Sequence, residues 1–227
     1  MRYYIALVLL LTSLYTSAQA IKFHVQGTVQ DSKHAKFAYL TTLSHQVPIS
    51  SSKIFMVSPI TNGKFDFKGT FDPGENGYQH ACVFVEERGN ISKEEMISKF
   101  NQLILVVDKE KNFKHIILEN IGLDIQNFDQ VKEARIVSGG KLTTQLHEWF
   151  AALRAKDGSL LKFVKKYPAS MMSLDAVFEI SQGIGEANSD RIESYFGSPK
   201  MLYASLSEQL KKSKKGIALK KRIDNYK

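Results

Sequence analysis

The chain contains one cysteine, Cys82, and that scarcity removes whole classes of chemistry. A single thiol closes no internal disulfide. Thiol–disulfide exchange also needs an attacking and a resolving sulfur. Cys82 lies in Ala81-Cys82-Val83-Phe84-Val85, an apolar strand-like run, and reads as a buried small hydrophobe rather than a reactive thiol. Metal-ligand spacing is missing as well. His24, His34, His45, His80, His115 and His147 form no H-x-H or H-E-x-x-H, and His147-Glu148 lacks a second His four residues on. Neither a G-x-S-x-G nor a P-loop occurs. Glu86-Glu87 sits on a strand pattern, where neighbours point to opposite faces. In Glu94-Glu95 the second acid has a capping role, so glycosidase-type acid–base work is unsupported. Ser138-Gly139-Gly140-Lys141 is the nearest glycine-rich stretch, and it reads more simply as a turn than as a phosphate cradle. No catalytic, cofactor-binding or metal-binding residue is assigned, and the expectation is a non-enzyme without cofactors.

Long apolar runs are also lacking. The one at the start, Ile5 to Leu11, falls well short of the ~20 residues that a membrane span needs. It follows Met1-Arg2-Tyr3-Tyr4 and precedes Ala18-Gln19-Ala20, an A-x-A pattern. The expectation is a secretory signal peptide over residues 1–20, cleaved after Ala20, with export to the periplasm or the extracellular space. No Cys follows the cleavage site, so nothing suggests a lipid anchor, and no later stretch reads as a transmembrane segment. Asn90-Ile91-Ser92 matches a glycosylation sequon, which matters only on a eukaryotic secretory route.

Net charge is scarce everywhere but the end. The formal charge is +8, and residues 211–227 carry Lys211, Lys212, Lys214, Lys215, Lys220, Lys221, Arg222 and Lys227 against Asp224 alone, a net +7. With Arg2 in the leader, residues 21–210 sum to zero. The basic character therefore belongs to the C-terminal tail, not to a binding face on the body. A solvated helix end is the plain reading, and weak contact with an anionic surface is the other. Only Tyr226 interleaves an aromatic ring, which argues against nucleic acid.

The pattern present is strands first, helices second. Asn62-Gly63 is a strong hairpin signal, since both residues tolerate positive φ. After it Phe65, Phe67, Gly69 and Phe71 alternate with Lys64, Asp66, Lys68 and Thr70, the mark of a half-buried strand. A two-residue loop places Phe65 opposite Ile60, Phe67 opposite Ser58 and Phe71 opposite Ile54. Pro59, which cannot donate a ladder bond, points instead to a longer loop or a sheet edge. Further strands are expected at Ile21–Val29, 36–41, His80–Glu86, 103–107, 113–118, 122–126 and 134–137. A short helix is expected over 90–102, with a capping box at Ser92 and Glu95 and a hydrophobic staple between Ile91 and Met96. From Ser138-Gly139-Gly140 the spacing turns helical. Leu142, Leu146, Trp149, Phe150 and Leu153 mark a first helix, ended by Asp157-Gly158. A second, through Phe163 and Tyr167, stops at Pro168, a third is capped at Ser170, and a fourth at Asn188 or Ser189. A fifth starts at Ser198-Pro199 and is lined by Leu202, Leu206 and Leu210. A sixth spans 216–226. The fold class expected is α+β. An N-terminal antiparallel β-sandwich-like module over 21–138 is followed by a C-terminal bundle of short helices over 139–227.

Several phrases, in this order, resemble a known family. They are Val25-Gln26-Gly27-Thr28-Val29, Asn62-Gly63-Lys64-Phe65-Asp66-Phe67-Lys68-Gly69, Ile136-Val137-Ser138-Gly139-Gly140-Lys141-Leu142, Phe163-Val164-Lys165-Lys166-Tyr167-Pro168-Ala169-Ser170 and Lys211-Lys212-Ser213-Lys214-Lys215-Gly216-Ile217-Ala218-Leu219. Together they resemble the N-terminal accessory domain, of unknown function, that precedes thioredoxin-like (ResA/TlpA-type) disulfide reductases in Gram-negative envelope proteins. In that family a thioredoxin domain with W-C-x-x-C normally follows. Here no C-x-x-C is present, so the family's redox residues map onto nothing. The resemblance implies an exported, non-catalytic binding or accessory module. The alternative is the separated half of a redox system that docks a thioredoxin-like reductase encoded elsewhere, with another envelope protein as the broader partner class.

Overall fold

In a computed structural model, residues 20–30, 33–42, 52–105, 112–183 and 189–225 are described. They form two compact units that meet in sequence at Gly140 and Lys141. The fold is α+β, with strands in the first unit and most of the helices in the second.

The first unit holds eight strands among the described residues: β1 (Ile21–Val29), β2 (Phe37–Thr42), β3 (Phe55–Pro59), β4 (Lys64–Phe71), β5 (His80–Glu86), β6 (Lys114–Ile117), β7 (Asn120–Ile125) and β8 (Arg135–Gly139). One sheet runs β4-β1-β7-β8 and the other β3-β2-β5-β6. Val25, Phe67, Leu123 and Ile125 of the first sheet share one buried cluster with Leu40, Val83, Val85 and Ile116 of the second, the common core of a sandwich. Five of the six strand pairings are antiparallel. β1 and β7 run parallel, which the expectation of an antiparallel module did not include. Such a pair needs a long connection, and most of the unit's sequence separates the two strands.

The second sheet is buried on both sides. α1 (Lys93–Leu105) covers its outer face. There Tyr39 stacks on Phe84 at 4.9 Å, Phe100 meets Phe84 edge-on, and Phe113 meets Phe100. The run 81–85 is accordingly buried without a break. The start of α1 carries the expected Ser92 cap and staple residues, while the Glu95 carboxylate, expected to close the capping box, pairs with Arg88 instead. The Glu95 N–H donates to Ser92 Oγ at 3.1 Å, and Ile91 and Met96 lie in the same buried cluster. The end of α1 differs from the expectation. The helix continues through Leu103, Ile104 and Leu105, where a strand was expected, and Val106 and Val107 lie outside the described residues. The apolar run 103–105 satisfies both periods, and in sequence Leu103 and Ile104 follow Phe100 at helical spacing.

The hairpin turn forms, but the hairpin does not. Asn62 and Gly63 take φ of 52° and 70°, and Thr61 and Lys64 exchange backbone bonds of 2.9 and 3.0 Å. Beyond that pair the strands part. β3 pairs with β2 at the edge of one sheet and β4 with β1 at the edge of the other, so the expected pairing of Phe65, Phe67 and Phe71 with Ile60, Ser58 and Ile54 is absent. Instead Ile60 N–H donates to the Lys36 carbonyl at 2.8 Å, and Pro59, with no N–H to offer β4, stands opposite Phe37. The alternation itself holds: Phe65, Phe67 and Phe71 are buried, while Lys64, Asp66, Lys68 and Thr70 are exposed.

The second unit contains α2 (Lys141–Ala155), α3 (Ser159–Lys166), α4 (Met171–Gly183), α5 (Ser189–Phe196), α6 (Pro199–Ala204), α7 (Glu208–Lys212) and α8 (Lys214–Asp224). Its buried side chains include Leu146 and Trp149 of α2, Leu160 and Phe163 of α3, Leu174 and Val177 of α4, and Leu202, Leu210 and Leu219 further on. The expected fifth helix is two. Ser198 caps α6 with Pro199 in its first turn, and Ser207 then accepts the Leu210 N–H and opens α7. A serine between Leu206 and Leu210 competes for backbone N–H groups and restarts the helix although the leucine spacing runs on. Ser213 caps α8 in the same way, two residues ahead of the expected start.

Candidate functional site

The chemistry-bearing residues of the sequence are dispersed, and most have structural partners. Cys82 is 0% exposed, on the face of the second sheet that α1 covers, and burial pushes its thiol well up. Glu86 pairs with Lys99 of α1, and Glu87 meets His34 Nδ1 at 2.6 Å, so the two neighbouring acids serve different contacts. Glu95 pairs with Arg88, while Ser92 caps the helix beneath it. Glu148 accepts from Lys166 Nζ at 2.8 Å and from the Tyr167 hydroxyl at 3.2 Å. His45 lies outside the described residues. Among the described residues no group of three His, Cys, Asp or Glu side chains is placed to hold a metal ion.

Ser138-Gly139-Gly140-Lys141 forms the turn read from the sequence. Gly139 and Gly140 take φ of 62° and 69°, and Gly140 N–H donates to the Asn120 carbonyl at 3.1 Å. A Cβ at Gly139 would stand 2.0 Å from that carbonyl oxygen, so the glycine serves a close backbone approach as the chain leaves β8 for α2.

The best-built polar constellation was not singled out in the sequence. Asp124 of β7 is buried on the outward face of the first sheet. Its Oδ1 accepts from Thr28 Oγ1 at 3.0 Å and Gln30 Nε2 at 3.1 Å, and its Oδ2 from Gln126 Nε2 and the Arg135 guanidinium, both at 2.5 Å. Thr28 and Arg135 are its register partners on β1 and β8, so one carboxylate links three adjacent strands. The Arg135 guanidinium, aided by Gln30 and Thr28, holds the Asp124 carboxyl at a pKa of about 2. Nearby, Asp66 accepts from Lys68 Nζ at 2.8 Å and contacts His24 Nε2 at 2.5 Å, and the Lys68 bond leads the lowering of its pKa. An acid between Leu123 and Ile125 in a strand is the one signal that pointed to this knot. Four donors saturate the carboxylate, so its chemistry is that of a fastener.

In the helical unit a groove of about 340 Å³ is lined by Ala151, Ala152, Ala155 and Phe163 with Glu148, Lys162 and Lys166. Glu148 and Lys166 neutralise one another there, and the glutamate raises the Lys166 ammonium pKa. No helix among the described residues is long and apolar enough to cross a membrane. Comparison with protein-family models, with curated proteins and with solved structures returned no match.

Proposed function

We propose that this protein is an exported, non-catalytic accessory module that binds or positions a partner in the cell envelope. The observation that carries the reading is the state of Cys82. The one thiol is enclosed between a sheet and a helix, and burial disfavours its thiolate. Among the described residues, Ser92 serves as a helix cap, Gly139 as a tight turn and Asp124 as a tie between strands. The resemblance of the ordered phrases to the accessory domain of envelope disulfide reductases supplies the partner class, a thioredoxin-like protein. Two of those phrases meet in space. Gly27 of the first stands opposite Phe65 of the second, and Val25 stands opposite Phe67.

Two experiments test it. In an insulin-reduction assay with dithiothreitol, native protein and Cys82→Ser should both leave the uncatalysed rate unchanged, with slow labelling of the native thiol. Turnover that vanishes in the serine variant, with fast labelling, would make the protein a redox enzyme. Capture from envelope extract should retain a thioredoxin-like protein, and its neighbouring reading frame is the first place to look for that partner. Sequencing the captured bait should find Ile21 at its N-terminus, whereas a retained Met1 would contradict export by a cleaved leader.

A further inference from the structure

Seven basic residues of the C-terminal stretch lie among the described residues, and three of them make contacts that hold the helices in place. Lys211 donates to the Ala204 carbonyl at 2.9 Å and to Glu208 at 3.0 Å. Lys215 pairs with Asp175 at 2.5 Å and lies over the Phe178 ring. Arg222 donates to the Ser181 carbonyl at 3.2 Å and covers the same ring. These three hold α7 and α8 to the helical unit. Lys220 shares Asp224 at 2.7 Å, a pair exposed on both sides. Lys212, Lys214 and Lys221 are exposed, and Ile217 between them is 60% exposed. Lys214, Ile217, Ala218 and Lys221 follow the i, i+3, i+4, i+7 spacing of one helix face. Gly216, Leu219 and Ile223 fill the opposite, buried face.

We infer that this outward face of α8 docks on an anionic phospholipid surface, with Ile217 entering the headgroup layer, Lys214 and Lys221 meeting lipid phosphates, and the exposed Lys212 at the end of α7 adding to the attraction. The argument is one of complementarity. Residues 21–210 carry no net charge while the last 17 carry +7, so attraction to a negative plane acts on one end of the chain. A large aliphatic side chain, Ile217, stands exposed at the centre of this cationic helix face. It suits a boundary where charge lies over hydrocarbon. The exposed face has no aromatic ring for base stacking, and its cations are lysines, point charges suited to a diffuse field rather than to bidentate recognition. With one apolar residue and three or four cations, the contact is weak, reversible and salt-dependent. The inference does not depend on the accessory-module reading.

Vesicle co-sedimentation of the full chain tests it, run in parallel with the same chain beginning at Ile21. Both should bind vesicles containing about one-third phosphatidylglycerol, leave pure phosphatidylcholine vesicles unbound, and be released at high salt. Each lysine near such a surface contributes roughly fivefold, so the triple variant Lys212→Gln, Lys214→Gln, Lys221→Gln should bind roughly a hundredfold more weakly. Replacing Lys22, Lys64 and Lys132 by Gln, three exposed lysines in the β unit, should change nothing. Ile217→Ser should weaken binding, and Ile217→Trp should show a blue-shifted emission on vesicle addition. Circular dichroism should find every variant as folded as the native protein, because the substituted positions are exposed. No binding, equal binding to neutral vesicles, or equal loss in the two triple variants would overturn the inference. So would tighter binding to polyglutamate than to vesicles without effect of Ile217→Ser, which would indicate an acidic protein partner instead.

Discussion

Gly27 and Phe65 face one another across β1 and β4, and so do Phe23 and Gly69, in a reciprocal exchange of ring for hydrogen. A Cβ at Gly27 would lie 2.3 Å from the Phe65 ring and 3.1 Å from the Leu123 carbonyl oxygen. Gly27→Ala should therefore cost about 1–3 kcal/mol by overpacking. Urea unfolding would show it as a lower midpoint at unchanged slope. The companion change, Phe65→Ala, opens a cavity beside the same glycine and should cost about 3–5 kcal/mol. Lys64→Ala on the outer face should stay within about 0.5 kcal/mol. Equal midpoints for these last two variants would reverse the assignment of faces. The alternation that assigns them was legible from residue types alone. The reason for glycine at 27 and 69 was not, because each side chain that excludes a Cβ comes from a strand about forty residues away.

Among the elements, the Asp124 knot ties β1, β7 and β8 and makes a pH-dependent prediction. The carboxyl has a pKa of about 2 in the folded protein against 3.8 for an unperturbed aspartate. A depressed folded-state pKa means that the contribution is full above the unfolded value and is lost as pH falls from near 4 towards 2. Asp124→Asn should remove that component. Its stability should fall less steeply across this window than the native protein's, as thermal unfolding at stepped pH would show. Parallel slopes would mean that other carboxylates set the acid limb. What was legible at this scale follows from locality. β1 and β5 occupy the residues expected because alternation in one and an unbroken apolar run in the other are local patterns. The caps at Ser92 and Ser198 were equally readable. The partner of each strand was not. Asn62-Gly63 promised a hairpin, and the local chemistry of the turn is as promised, but sheet membership was decided by β1 and β2, which sequence pattern alone does not connect to it. The Asp124 knot escaped notice for the same reason, since Thr28 and Gln30 reach it from more than ninety positions away.

At the scale of the molecule, the two units differ in how far apart in sequence their partners lie. The helical unit is built largely from neighbours, with α2 against α3 and α7 against α8, whereas the sandwich is non-local. β1 is the strand to consider. It is an interior strand, with β4 on one flank and β7 on the other. Synthesis proceeds from the N-terminus, so β1 is among the first segments made, yet its second flank stays open until Asn120–Ile125 has been added. For that interval the nascent chain presents an unpaired, apolar strand edge, a template for pairing with other chains. A nascent chain halted after Leu118 should therefore aggregate or recruit a holdase, while one extended past Gly139, with β7 and β8 in place, should not. Ribosome-bound chains arrested at the two lengths and probed by limited proteolysis would separate these outcomes. The order of strands in this sheet thus sets a point during translation before which the sandwich cannot close.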